Sequence, residues 1–235
     1  MKPYRVGILF VHGIQGSPKQ FDFLIEQIPD DILCCNVILP GHGATIKEFK
    51  ESTGKEWLRA VTDASLKMSE QCEHIIFVGH SMGCLLGLLT QQKKALFSSM
   101  LLLCCPFRLR PTWRYFRNSL SANLTKGKTD DPFVKAAWDA NSVSARHTVS
   151  YLFCSHPYFE LFKTIRYVRN KRLIIPKDTV FCYSELDEIV SKRCIQYTRE
   201  RFGTKPRVMS GCGHNYFPPA AQAELLGILS VMVKK

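Results

Sequence analysis

Ser81 stands at the centre of Gly79-His80-Ser81-Met82-Gly83. A serine hydroxyl is a poor nucleophile at neutral pH. It needs a histidine to take its proton and a carboxylate to fix that histidine's tautomer. Ahead of the pentapeptide runs Ile75-Ile76-Phe77-Val78, and behind it Cys84-Leu85-Leu86-Gly87-Leu88-Leu89, so a buried strand meets a buried helix at Ser81. A turn that tight puts its central residue in a strained backbone and projects the side chain from the end of the sheet. Glycines flank it because a Cβ there would collide with the neighbouring strand or helix. The helix start supplies N–H groups and a positive dipole end, which suit an oxyanion. Attack of Ser81 on an acyl carbon is the chemistry this stretch could perform.

Two later loops carry the partners such a serine needs, in the order acid then base. Ser184-Glu185-Leu186-Asp187-Glu188-Ile189-Val190 follows one strand-like run, and Ser210-Gly211-Cys212-Gly213-His214-Asn215 follows the next. His214 is the expected base. Asp187 is the preferred acid because Ile189-Val190 should anchor its loop, and Glu185 is the alternative. Glu188 is read as complementing the start of the helix that follows. The early loop His12-Gly13-Ile14-Gln15-Gly16-Ser17 is expected to aim the Ile14 N–H at an acyl oxygen, with the Met82 N–H as second donor. His12 is read as bracing that loop.

The elements that must hold these loops alternate between strand and helix, which predicts a mainly parallel sheet with helices on both faces. Strands are expected over Val6–Val11, Cys34–Leu39, the run ending at Gly79, Met100–Cys105, Thr179–Tyr183 and Arg207–Met209. Helices are expected over Pro18–Ile28, Glu56–Gln71, the stretch after Ser81, Ser191–Phe202 and Ala220–Val233. From Phe107 to Ile175 the alternation breaks. The core therefore reads as residues 1–106 and 176–235, with 107–175 as an inserted cap.

His12-Gly13-x-x-Gly16, Leu39-Pro40-Gly41-His42-Gly43, the Ser81 pentapeptide, Asp187-Glu188-Ile189-Val190 and Gly213-His214 together resemble the α/β-hydrolase superfamily. Within it the chain is similar to small carboxylesterases and monoacylglycerol lipases with a compact cap. The resemblance runs from about Val6 to the C-terminus, apart from the cap. It implies Ser81, Asp187 and His214 as triad, Ile14 and Met82 as oxyanion donors, ester hydrolysis through an acyl-enzyme, and no cofactor. One departure is the early first strand, which omits the antiparallel strands that often open this fold and implies about six strands. A thioesterase or acyltransferase would use the same residues, and a lyase, cofactor-free peroxidase or binding protein could share the fold.

Charge and composition narrow the partners. The 235 residues carry a formal charge of +12. Residues 107–175 hold 13 Lys or Arg against 4 Asp or Glu, so three-quarters of the surplus lies in the expected cap. They also hold 12 of the 26 aromatic residues, Phe153, Phe159 and Phe162 among them. Trp113, Phe116 and Trp138 are expected to wall an acyl or aryl pocket, and Arg108 and Arg110 to stand at its entrance. The basic cap admits weak association with anionic lipid or an acidic leaving group. Nucleic acid is not an expected partner, since the charge sits beside a catalytic pocket and no binding motif is present. The ten cysteines include no Cys-x-x-Cys pair, and Cys34, Cys35, Cys104, Cys105 and Cys182 fall in expected buried strands, which reads as small core residues in a reducing compartment, with neither zinc nor disulfides. No apolar run reaches a membrane-spanning length, and the first is too short for a secretory signal, so a cytoplasmic protein is expected.

Overall fold

The computed structural model describes residues 2–143 and 154–235. Phe153, one of the aromatic residues expected in the cap, lies outside them. Strand β1 (Tyr4–Val11) leads through a 3₁₀ turn (Pro18–Phe21) and the single-turn helix α1 (Asp22–Ile25) to β2 (Leu33–Val37). Helices α2 (Ile46–Glu51) and α3 (Gly54–Gln71) precede β3 (Cys72–His80), which turns at Ser81 into α4 (Met82–Lys94). After β4 (Ser99–Leu103) come α5 (Trp113–Thr125), α6 (Pro132–Ala140) and α7 (Ser155–Asn170). Then β5 (Asp178–Ser184), α8 (Arg193–Phe202), β6 (Arg207–Met209) and α9 (Pro219–Lys234) close the described chain.

All six strands are parallel, in the order β2-β1-β3-β4-β5-β6. Strand order reverses between β1 and β3, since β1 is followed outward on one side by β2 and β3 on the other by β4. A crevice opens at the carboxyl ends of strands at such a reversal. The loop after β1 and the turn at Ser81 both lie there. In α4 every residue from Met82 to Gln91 is buried, and Phe10, Phe77, Val78, Leu101 and Phe181 on the inner strands complete the core.

Three elements differ from the sequence expectation. The helix over Pro18–Ile28 is one 3₁₀ turn and one α turn, because Ser17 makes no side-chain cap and the chain must turn again at Pro29. Strand β2 ends at Val37, since the Leu39 N–H is donated to His12 Nε2 at 3.1 Å instead of to the sheet. The β4 strand stops before Cys104, which takes a left-handed φ of 52°. Cys34 and Cys35, expected in a buried strand, are half-buried because β2 is an edge; all ten cysteines are free thiols.

The stretch expected as an inserted cap does not separate cleanly from the core. Phe107 and, on α7, Leu161, Ile165 and Val168 belong to the same buried cluster as β1 and α4. Helices α5 and α6 instead pack on each other and on the loops after β5 and β6. Thr112 N–H donates to Glu188 O at 2.9 Å, Arg110 N–H to Ile189 O at 2.8 Å, and the Phe133 and Tyr216 rings meet at a tilt with centroids 4.9 Å apart. No helix among the described residues is long and apolar enough to cross a membrane.

Candidate active site

Ser81 has φ 51° and ψ −120°, a backbone that costs a non-glycine residue on the order of 1–3 kcal/mol. What enforces it is close packing on both sides. A Cβ on Gly83 would lie 2.0 Å from the Val11 carbonyl oxygen, and one on Gly79 would lie 2.9 Å from the Cys84 nitrogen. The Ser81 N–H is meanwhile fixed to Leu103 O at 2.8 Å, so strand β4 holds the turn from below.

The serine Oγ lies 3.1 Å from His214 Nε2, and His214 Nδ1 lies 3.0 and 3.1 Å from the two carboxylate oxygens of Asp187. The carboxylate accepts from Nδ1–H, which leaves Nε2 as the lone-pair nitrogen facing the hydroxyl. Asp187 Oδ1 also accepts the N–H groups of Ile189 and Val190 at 2.8 and 2.7 Å. Burial alone would push the Asp187 pKa up, but the His214 charge and these hydrogen bonds hold it below its usual value. Burial would likewise lower the His214 pKa; the charge of Asp187, its hydrogen bond and the charge of Glu188 outweigh that and raise it. Glu185 is turned away, fully exposed, with its carboxylate on Ser210 Oγ and the Gly211 N–H at 2.9 and 3.0 Å.

Two residues grip the His214 peptide, and sequence reading assigned neither this task. Glu188 is buried and accepts the His214 N–H at 3.0 Å, while its carboxylate pairs with Arg114 at 3.6 Å. It does not serve the start of α8, as expected, because Arg114 and the His214 peptide draw it into the loop. Arg114 also donates to the Leu186 carbonyl. His80 donates Nε2–H to the His214 carbonyl at 2.8 Å. Burial, then the nearby His214 charge, lowers the His80 pKa to about 3, so it stays neutral.

The loop after β1 passes beside the serine. A Cβ on Gly13 would lie 2.9 Å from Ser81 Cβ and 3.4 Å from its Oγ, so the loop backbone passes against the serine side chain, and Ile14 follows directly. Met82 is the first residue of α4. His12 braces this loop: Nδ1–H donates to Gly13 O at 2.8 Å and Nε2 accepts from Leu39. Among the described residues one group of three metal-capable side chains has donor atoms within 4.8 Å of one another, namely His80, Cys104 and His214. His214 is committed to Asp187 and Ser81 there, and burial keeps the Cys104 thiol protonated far above its usual pKa.

Ser81 and His214 are each only 4% exposed. A cleft of about 1080 Å³ opens alongside, between Phe23, Ile38, Trp138, Tyr216 and Phe217. Ser17 and Asn215 lie on its wall, but Ser81, Asp187 and His214 do not. Of the residues expected to wall a pocket, Trp138 borders this cleft, whereas Trp113 and Phe116 face solvent and Arg108 and Arg110 are exposed outside it. The correction has a simple cause: the face of α5 that packs inward carries Asn118 and Ala122, which turns its aromatic residues outward.

Comparison with known proteins shows the family and the fold. The model of the Alpha/beta hydrolase family matches residues 8–226. A thermostable monoacylglycerol lipase from Bacillus sp. (strain H-257) is 31% identical over 79 residues, a stretch that is 33% of this chain and 32% of that lipase. One of the metagenome-derived lipolytic enzymes LipS and LipT superposes with a TM-score of 0.67 at 16% identity, over 99% of this chain and 95% of the other. The peroxisomal alpha-beta-hydrolase Lpx1 of Saccharomyces cerevisiae gives 0.68 at 11% identity, over 100% and 79%. At those identities the structural likeness speaks for the fold.

Proposed function

For a chain that belongs to the alpha/beta hydrolase family, with its six-stranded parallel sheet between helices, we propose a serine hydrolase that cleaves carboxylic esters. The observation that carries the reading is the continuous line from Ser81 Oγ through the His214 imidazole to Asp187, built at the strained turn that ends β3. Ser81 attacks the acyl carbon while His214 Nε2 takes its proton. The Ile14 and Met82 N–H groups hold the oxyanion, His214 returns the proton to the leaving alcohol, and water repeats the steps to release the acid. The partial match to a monoacylglycerol lipase supports acyl esters as the class, and Phe23, Ile38, Trp138 and Phe217 give the neighbouring cleft apolar wall for an acyl chain. Helices α5 and α6, stitched to the loops of Asp187 and His214, act as the cover. The free thiols fit a reducing compartment such as the cytoplasm.

Labelling by a fluorophosphonate probe tests this without choosing a substrate. Wild type is expected to label and Ser81→Ala is not; folded wild type that stays unlabelled while hydrolysing esters would remove Ser81 from the mechanism. The acid is separable by mutation. Asp187→Asn should lower kcat by about 10⁴-fold, because the asparagine favours the wrong imidazole tautomer. Glu185→Gln should leave kcat nearly unchanged, and the reverse ranking would transfer the role to Glu185.

A further inference from the structure

Helix α5 presents its apolar side to water. Trp113, Phe116, Leu120 and Leu124 recur at three- and four-residue steps, which sets them in one row along the helix. They are 81%, 54%, 55% and 73% exposed. The inward side buries Asn118 and Ala122 instead. Single exposed apolar residues are ordinary, but a row of four large ones over three turns marks a surface that something covers.

The charge around the row selects the cover. Between Arg108 and Lys128 there is no Asp or Glu, and Arg108, Arg110, Arg117, Lys126 and Lys128 are all exposed. The sixth cation, Arg114, is turned inward to Glu188. A second copy of this chain meeting the face symmetrically would set these cations against their own images, on a molecule already at +12. An anionic lipid surface meets both demands at once, with headgroup phosphates for the cations and acyl chains for the row.

We propose that the outer face of α5 docks on anionic lipid, with Trp113, Phe116, Leu120 and Leu124 immersed and the flanking Arg and Lys at headgroup level. The same helix reaches the cleft through Asn123, at the edge of the row, and the α6 residue Trp138 borders it. Docking therefore sets the cleft beside the lipid interface. Delivery of a lipid ester from there rests on the hydrolase reading above; the docking itself does not.

The experiment is flotation with vesicles of phosphatidylcholine alone and of equimolar phosphatidylcholine and phosphatidylglycerol, using Ser81→Ala protein so that no lipid is hydrolysed. Binding is expected to the mixed vesicles only, weakening as salt rises. Leu120→Ser/Leu124→Ser should lower the partition about tenfold, since each leucine gives up apolar burial. Arg117→Gln/Lys126→Gln/Lys128→Gln should do the same through lost headgroup attraction. On the Ser81 background, both sets should keep rates on a short soluble ester unchanged relative to wild type. Absence of binding by the folded protein overturns the proposal, as does undiminished binding by the leucine variant. A lipid-free dimer dissolved by the leucine changes would overturn it in favour of a second copy. Fluorophosphonate labelling scores the hydrolase reading separately, so failure of one is visible without the other.

Discussion

Ser81→Ala is expected to lower turnover of an activated short-chain ester by about 10⁵- to 10⁶-fold, since removing the serine of such a triad forfeits nearly all that the three residues do together. The fold should persist, because no core side chain is lost. A companion variant makes the case sharper. Ser81→Gly and Ser81→Ala both remove the hydroxyl held 3.1 Å from His214, so their stabilities differ only through the backbone. At φ 51° alanine keeps the strain of 1–3 kcal/mol while glycine sheds it, at an entropic cost of about 0.5–1 kcal/mol. Ser81→Gly should therefore be the more stable by about 1 kcal/mol, against the usual order of the two residues. Urea denaturation midpoints measure this. Equal or inverted midpoints would mean that the turn holds no strain, and retained turnover in either variant would exclude a serine nucleophile.

The second large effect is on stability in acid. Burial lowers the pKa of His12 to about 3, with the neighbouring His42 charge contributing; burial also lowers His42 to about 4 and His80 to about 3. Each imidazole binds a proton more readily once unfolded, where its pKa returns to 6.5. Stability is therefore full above that value and falls as pH drops, levelling off only near the folded values. By linkage each costs on the order of 2 kcal/mol at pH 5, or about 6 kcal/mol for the three, against a total of about 5–15 kcal/mol for an ordinary domain. His214 works in the opposite direction, since its raised pKa favours the folded state in acid until pH climbs past it. The urea midpoint should drop steeply between pH 7 and 5, and His42→Asn should flatten that slope. A midpoint independent of pH over this range would contradict the neutral buried imidazoles.

These two behaviours separate along the pH axis. In the proposed mechanism turnover needs neutral His214, whose pKa lies above the ordinary 6.5. Activity should thus begin to fall at a higher pH than stability does, and kcat/KM profiles beside denaturation curves will order them. In Asp187→Asn the midpoint of whatever activity remains should move down, because the carboxylate charge is what lifts it.

Much of this site was legible because its parts are local. The strand before Ser81, the glycines around it and the helix behind it sit within fifteen residues, and close packing dictates their types. Asp187 and His214 could be placed because each follows a strand-like run in the required order. The roles of Glu188 and His80 were not legible, since both reach the His214 peptide, which lies far along the chain from each. Helix α2 is announced only by its capping box, Thr45 with Glu48, a signal repeated at Thr53 and Glu56 for α3. The spacing of Trp113, Phe116, Leu120 and Leu124 announces an apolar row, but periodicity cannot say whether such a row faces the core or the solvent.

The all-parallel sheet carries a consequence for how the chain reaches this state. No strand can zip onto its neighbour through a hairpin, because every pairing waits for a crossover to be made. Strand β1 finds β3 only once Cys72 to His80 has been synthesised, and β4 finds β5 only after the whole stretch from Leu103 to Asp178. Closing such loops is slow, and chains of this size gather in partly assembled states on the way. Until β5 arrives, Met100, Leu101, Leu102 and Leu103 form an unpaired apolar edge. The interval between β4 and β5 is therefore when aggregation competes with folding, and yield on refolding should fall as protein concentration rises.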